Sequence, residues 1–386
     1  MKVLQVIPAY FPATLWGGPI HAVYGLNRAL ARLPGMQIRV LTTDCAGPGI
    51  PDRLDVREKP FSFGPGHEVF YCRRNAGDSV SLELLRRLPG FARWADLVHL
   101  SYTYSFPTIP TLLACRLAGK PLVWSPRGAL QFSAQWESAR RPRLKRAWEI
   151  VCNGLLPSRR AVLHVTAEEE RAASQGRISR ARMAIVPNGV DIPALPAGKP
   201  LRPQGRLSLM YLGRIDPIKA LDNLLRALTL LPGAAVTLEV FGQGDRGYTQ
   251  QMKALAGELG LGARVRFRGH VEGEAKSAAF GEADVCVVPS HHENFCNVVA
   301  ESLAHAVPVV VSKGAPWSAV EPHGCGLWVD NQPATLARAI QDMAASDLEK
   351  MGARGRAWMQ AEYSWDAIAP AMRELYASTM QAAGGR

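Results

Sequence analysis

The chain has no run of about 18 or more apolar residues, so no transmembrane helix is predicted. It has no C-x-x-C pair. Its seven cysteines (Cys45, Cys72, Cys115, Cys152, Cys286, Cys296 and Cys325) are scattered and odd in number. That argues against a disulfide framework or a zinc site and for a reducing compartment. There is no short-period repeat and no low-complexity stretch. No D-x-D triplet occurs, so the paired acidic residues that often hold a divalent cation are missing. The N-terminus, MKVLQVIPAYFPATLWGG, has one lysine and a short apolar run broken by Pro8 and Pro12, with no A-x-A site behind it. It reads as a first strand rather than a signal peptide.

What is present is ordinary for a soluble globular protein: 386 residues, 47% hydrophobic and 20% charged. Single cores stop growing at roughly 250–300 residues, so two domains are expected. The charge is uneven. Residues 1–198 carry 26 Lys+Arg against 14 Asp+Glu, whereas residues 199–386 carry 19 of each, so the whole formal charge of +12 falls on the first half.

Short β-rich runs alternate with helical stretches. The first series is 2–8, 37–43, 68–73, 96–102, 121–125, 161–166 and 183–188, with helix-like patterns at 19–33, 106–118 and 141–155. The second is 207–213, 236–242, 264–270, 284–290, 308–312 and 326–330. Two such series predict two doubly wound parallel α/β domains. The Pro- and Gly-rich stretch DIPALPAGKPLRPQG (191–205) has no periodicity and reads as the seam. Ligands in such sheets bind at the carboxyl ends of the strands, so a cleft between the domains is the expected site.

Three segments carry chemistry. In SHHENFCNVVAESLAHAVPVVVS (290–312), a strand leads through a polar loop into a helix from about Cys296 to His305. Glu293 lies in the loop and Glu301 in the helix. Eight residues at 100° each return to within about 80°, so both carboxylates can border one cleft. Helix amides near Phe295 to Val298 suit an anion. A loop carboxylate for hydroxyls, amides for phosphate and a second carboxylate for ribose describe a sugar-nucleotide site. In MYLGRIDPIKALDNLLRAL (210–228), Gly213 allows a tight turn, and Arg214 and Lys219 bracket a loop suited to a diphosphate leaving group. In LWGGPIHAVYGLNRALARL (15–33), Gly17 and Gly18 permit close backbone approach at a helix start.

These motifs, in this order and spacing, resemble the large family 4 of retaining glycosyltransferases (glycosyl transferases group 1). Members have the GT-B fold, in which two Rossmann-like domains face a central cleft. The resemblance rests on GG at 17–18, IVPNGVD at 185–191, GRIDPIK at 213–219, FGQG at 241–244 and ENFCNVVAE at 293–301, and spans essentially the whole chain. It implies an acceptor-binding domain over 1–195, a donor-binding domain over 196–365 and a last helix, 366–386, crossing back to the first. It further implies that Arg214 and Lys219 grip the donor diphosphate, that Glu293 contacts the donor sugar and that Glu301 binds the ribose. Gly17, Gly18, Gly213, Gly242, Val271, Asn294, Phe295, Cys296 and Asn297 would complete the donor site. The expected activity is retaining hexosyl transfer from a UDP- or GDP-sugar to a saccharide acceptor, lipid-linked, in bacterial cell-surface polysaccharide (lipopolysaccharide or O-antigen) synthesis. Neither a cofactor nor a metal is expected, because cations and helix amides take the metal's place.

Two positions depart from the family pattern. Many members carry a sugar-contacting His near the end of the strand that here reads VWSPRG (123–128), where this chain has Pro126 and Arg127. Arg127, His99 and His21 are the candidates for that contact. Cys296 stands where such motifs usually have Gly.

The sequence FGQGDRG (241–247) fits G-x-G-x-x-G and alone would suggest an NAD(P)-dependent oxidoreductase, but it lies on the second βα unit of its domain and no acidic residue ends the next strand. A sugar-nucleotide 2-epimerase of the same architecture is the closer alternative. Nucleic acid is not an expected partner, since no such motif accompanies the basic charge. Instead the first half is expected to dock on an anionic membrane, peripheral to the inner face of the cytoplasmic membrane. Arg140, Arg141, Arg143, Lys145, Arg146, Arg159 and Arg160, interleaved with Trp136, Trp148, Leu155 and Leu156, are the motivation. The competing reading of that cluster is a solvated helix face.

Overall fold

A computed structural model describes residues 1–56, 60–131, 142–157, 160–195, 206–231 and 235–384. The chain divides into two compact units: Met1–Gly189 with Trp365–Arg386, and Val190–Ser364. Arg140, Arg141, Arg159 and Trp136 of the basic cluster, and most of the 191–205 seam, lie outside the described residues.

In the first unit, strands β1 (Lys2–Val6), β2 (Gln37–Thr43), β3 (Phe61–Ser62), β4 (His67–Cys72), β5 (Leu97–Ser101), β6 (Leu122–Ser125), β7 (Ala161–Val165) and β8 (Arg182–Ile185) form one sheet. Its order is β3-β4-β2-β1-β5-β6-β7-β8, parallel except for the short edge strand β3. The central strands β5, β6 and β7 are buried at every position, which is why they appear in the sequence as unbroken apolar runs. Helices α1 (Gly18–Arg32), α2 (Leu82–Trp94), α3 (Thr108–Ala118), α4 (Pro142–Leu155) and α5 (Glu168–Gln175) connect them. Pro19 suits the first turn of α1, Ser81 caps α2 by accepting from the Leu84 amide at 3.1 Å, and Gly119 ends α3 in the left-handed region.

The second unit has the order β11-β10-β9-β12-β13-β14, all parallel. These are β9 (Leu207–Leu212), β10 (Val236–Phe241), β11 (Val265–Gly269), β12 (Val285–Val288), β13 (Val309–Ser312) and β14 (Gly326–Val329). Helices α6 (Leu221–Thr229), α7 (Arg246–Glu258), α8 (Gly273–Glu282), α9 (Asn297–Ala304), α10 (Pro333–Ala344) and α11 (Leu348–Trp358) cover it. Each unit has two apolar clusters, as a doubly wound sheet requires.

The last helix, α12 (Trp365–Gly384), belongs to the first unit. Its Ile368, Ala369, Met372 and Tyr376 are buried with Ile20, Val23 and Leu26 of α1. A Cβ at Gly25 would lie 2.2 Å from the Trp365 ring, so α1 needs a glycine where α12 begins.

In both sheets the strand order reverses next to the first strand: between β1 and β5, and between β9 and β12. The carboxyl-end side of such a reversal is the usual ligand position in open α/β sheets.

Candidate active site

At the β9/β12 reversal, the loop after β9 carries Gly213 to Lys219 and the loop after β12 carries Ser290 to Cys296. Asp216 accepts from the Ile218 amide at 3.1 Å and starts a single 3₁₀ turn, Pro217–Lys219. The His291 amide donates to the Ile218 carbonyl at 2.8 Å, which ties the two loops together. The Glu293 amide donates to the Gly314 carbonyl at 2.8 Å, and the Ser290 hydroxyl donates to Glu293 Oε1 at 2.7 Å. With its carboxylate so fixed, Glu293 meets Lys219 Nζ at 2.6 Å. Their side chains are only 11% and 20% exposed, so solvent screens this pair less than a surface one. Arg214 is exposed on the same loop.

Glycine is required where the β10 loop meets the β9 loop. Gly242 has φ +133° and a Cβ there would lie 1.8 Å from the Gly213 carbonyl oxygen; at Gly244 it would lie 1.9 Å from that of Ile215. The FGQG glycines thus serve loop-on-loop packing, and the oxidoreductase reading of that motif loses its support.

Helix α9 begins at Asn297, later than the sequence suggested, because Cys296 is a left-handed cap residue with φ +66°. That conformation explains why a glycine suits this position. Burial, aided by the nearby Glu293 charge, raises the Cys296 thiol well above its ordinary pKa. Phe295 is buried edge-on against Trp317, whose indole nitrogen donates to the Phe295 carbonyl. Val271 is half-buried against the same core, and Asn294 and Asn297 flank the cap. Glu301 has its own cation: Lys276 of α8 meets it at 2.9 Å.

The other candidates lie on the first unit. Gly17 has φ +83° with open space where a Cβ would be, and Gly18 starts α1. His21 is half-buried, edge-on to Phe11. His99 is fully buried: Nδ1 lies 2.7 Å from the Tyr376 hydroxyl and Nε2 2.7 Å from the Ser125 hydroxyl. Ser125 in turn lies 2.6 Å from His164 Nδ1. Burial, aided by the neighbouring charges of His164 and Arg127, lowers the His99 pKa well below its ordinary value. His99 is therefore a neutral core residue, and the expectation that it contacts sugar is corrected. Arg127 sits at the end of β6 with φ +57°, donating from Nη1 to Asn188 Oδ1 at 2.8 Å.

Sequence reasoning missed Ser290, Lys276 and the His99–Ser125–His164 chain. Only Ser290 had a local signal, three residues before Glu293.

Residues 16–193 match the family model Glycosyltransferase Family 4, and residues 197–358 match Glycosyl transferases group 1. Over 212 residues the chain is 31% identical to a D-inositol 3-phosphate glycosyltransferase of Mycolicibacterium smegmatis, covering 48% of this chain and 49% of that one. A Streptomyces avermitilis protein of the same name is 31% identical over 245 residues, covering 58% and 52%. The chain thus spans about half the length of the curated relatives it matches. Among solved structures, sucrose-phosphate synthase from Thermosynechococcus elongatus superposes with TM-score 0.75 at 23% identity, covering 99% of both chains. Anabaena HepE, solved with UDP and glucose, gives 0.70 at 18% identity, covering 98% of this chain and all of that one. The fold is that of GT-B glycosyltransferases. The chain belongs to glycosyltransferase family 4, the group 1 glycosyl transferases.

Proposed function

We propose that the protein transfers a hexose from a UDP- or GDP-sugar to an acceptor hydroxyl, with retention and without a metal ion. The observation that carries this reading is the Lys219–Glu293 pair at 2.6 Å, held by both loops of the β9/β12 reversal. A departing diphosphate needs positive charge as its bond to the sugar breaks, and Lys219 and Arg214 are the cations at that strand end. The arriving diphosphate competes with Glu293 for Lys219. Glu293, thus released, accepts from donor-sugar hydroxyls, and Glu301 accepts from the ribose. Amides of the first turn of α9 add to the diphosphate's partners.

The acceptor in this reading is a lipid-linked saccharide in cell-surface polysaccharide synthesis, met at an anionic membrane. Among the described residues, seven of the eleven exposed large apolar side chains sit on three helices: Leu82 and Leu85 on α2, Leu113 and Leu117 on α3, and Leu144, Ile150 and Val151 on α4. Helix α3 packs against both α2 and α4, and the inner residues of all three enter one core cluster. Arg86, Arg93, Arg116, Arg143 and Arg146 are exposed on the same helices. Apolar tips among arginines suit an anionic bilayer surface, where each cation contributes about 1 kcal/mol. No described helix is long and apolar enough to cross a membrane.

The test is incubation with a panel of UDP- and GDP-sugars, with and without saccharide acceptors and in excess EDTA, read by product NMR. An α-linked product from an α-linked donor, formed in EDTA, is the expected result. An epimerised donor in the absence of acceptor, or inversion, contradicts the reading. Flotation with phosphatidylglycerol liposomes checks the surface: binding at low salt, weaker at high salt, and lost when Leu117 and Ile150 become Ser together with Arg143 and Arg146.

A further inference from the structure

The β1/β5 reversal of the first unit has a feature that the proposed donor chemistry leaves unused. Arg127 is half-buried, but its Nε and Nη2 atoms are shielded from solvent and have no hydrogen-bond partner. Nη1 alone is engaged, by Asn188. Nε–H and Nη2–H point in parallel along one edge of the guanidinium, the geometry that takes two oxygens of a carboxylate or phosphate side-on.

Its neighbours repeat the pattern. Tyr102 follows β5, and its hydroxyl is likewise buried and unpartnered. The Tyr102 hydroxyl and the Arg127 guanidinium act on each other electrostatically. The indole N–H of Trp16, directly before Gly17, is buried without a partner too, and the Trp16 ring stands edge-on to Tyr102 with centroids 6.3 Å apart. The Tyr102 amide donates to the Ser125 carbonyl at 2.9 Å, which links the two strand ends. Tyr102 and Arg127 both hold left-handed backbone conformations, φ +75° and +57°. Neither residue is glycine, so their side chains are aimed at the expense of strain. Unpartnered buried donors are rare in folded proteins, and a buried charge is normally paired.

We propose that Arg127, with Tyr102 and Trp16, forms an oxyanion site on the first unit that holds a phosphate or carboxylate group of the acceptor. The proposal rests on the glycosyltransferase reading and adds to it that the acceptor is anionic beside the hydroxyl that receives the sugar. The donor's own phosphates are assigned to Arg214, Lys219 and α9 on the other unit. The histidines near Arg127 bring no competing charge, since His99 and His164 are buried and neutral. Glu170 offsets part of the Arg127 charge but spends its oxygens on the Gly128 and Thr166 amides and the Thr166 hydroxyl.

The experiment is thermal unfolding of the full chain with inorganic phosphate, with acetate, and with UDP or GDP, at matched ionic strength. Phosphate or acetate should raise the midpoint of the wild type, and a nucleoside diphosphate should raise it further when both are present. Arg127→Gln should lose the oxyanion shift, keep the nucleoside-diphosphate shift and melt no lower than the wild type, since it removes two buried N–H groups that have no partner. Tyr102→Phe keeps the ring against Trp16 and should weaken the oxyanion several-fold. The larger of the phosphate and acetate shifts identifies the group. The proposal is overturned if Arg127→Gln keeps the oxyanion shift, or if it loses the UDP or GDP shift, which would make the oxyanion the donor's. It is also overturned if Arg127→Gln fails to fold and Tyr102→Phe leaves the oxyanion shift untouched. Failure of the glycosyltransferase reading looks different: neither UDP nor GDP shifts the wild type, whatever phosphate does.

Discussion

At the strand reversal of the unit Val190–Ser364, Lys219 and Glu293 satisfy each other at 2.6 Å and Lys276 does the same for Glu301 at 2.9 Å. At the reversal of the other unit, Arg127 keeps two buried N–H groups without a partner and the nearby histidines are neutral. The difference separates two ways of holding an anion. A site of internal ion pairs is nearly neutral until an anion of higher charge competes for its cations, so affinity depends on exchange. A site with an unpartnered fork carries its charge in advance, at the expense of stability. The first suits a diphosphate that must be gripped more tightly as it departs; the second suits a group that stays intact through the reaction.

Breaking the pair should have the largest effect. Lys219→Ala and Glu293→Ala should each lower turnover by ~10²-fold or more, measured as initial transfer rates at saturating donor. Arg214→Ala should follow. If all three keep near-normal turnover, the paired site is not where the chemistry occurs.

Backbone packing between the paired loops comes next. Gly242→Ala places a Cβ 1.8 Å from the Gly213 carbonyl oxygen in a left-handed conformation. A loss of about 3 kcal/mol or more in denaturant unfolding is expected, accompanied by weaker donor binding. Gly257→Ala, on α7 with nothing within 4 Å, is the control and should be neutral or stabilising.

A smaller effect is expected at Glu301. Its substitution by Ala should weaken donor binding about tenfold by calorimetry, roughly 1.4 kcal/mol, with turnover nearly kept. An equal loss of turnover would merge the roles assigned to Glu301 and Glu293.

A pH dependence of stability is also expected, and its largest histidine shifts lie in the first unit. Burial lowers His67 to about 4 and His164 to about 3, against an ordinary 6.5. Unfolded histidine binds a proton between those values and 6.5 while the folded one does not. Stability should therefore be full above pH 6.5 and fall as pH drops towards 3. His164→Gln should flatten that slope more than His292→Gln does in the other unit, as read from unfolding midpoints across pH 4–7.

Most of the strands were legible because parallel strands buried on both faces leave apolar runs, as at Val285–Val288 and Val309–Ser312. Edge strand β3 was not, since two residues of mixed burial carry no period. The segments GRIDPIK and ENFCNVVAE were legible because their residues are neighbours in sequence. The bond between Lys219 and Glu293 was not, because it joins residues 74 apart through loops whose meeting depends on the whole sheet. Cys296 was read as a helical residue because its left-handed conformation has no composition signal outside Gly and Asn. His99 was a candidate for the sugar contact, and nothing local in the apolar run Leu97–Ser101 shows that its ring is buried. Its role is set by Tyr376, 277 residues away on α12.

The central claim is that the donor diphosphate takes Lys219 from Glu293. Calorimetric titration of UDP and GDP into the wild type, Lys219→Ala and Arg127→Gln tests it most directly. The account predicts that one nucleotide binds the wild type, that Lys219→Ala weakens it tenfold or more, and that Arg127→Gln leaves it within about twofold. Unchanged affinity in Lys219→Ala, with the loss falling on Arg127→Gln instead, would contradict it.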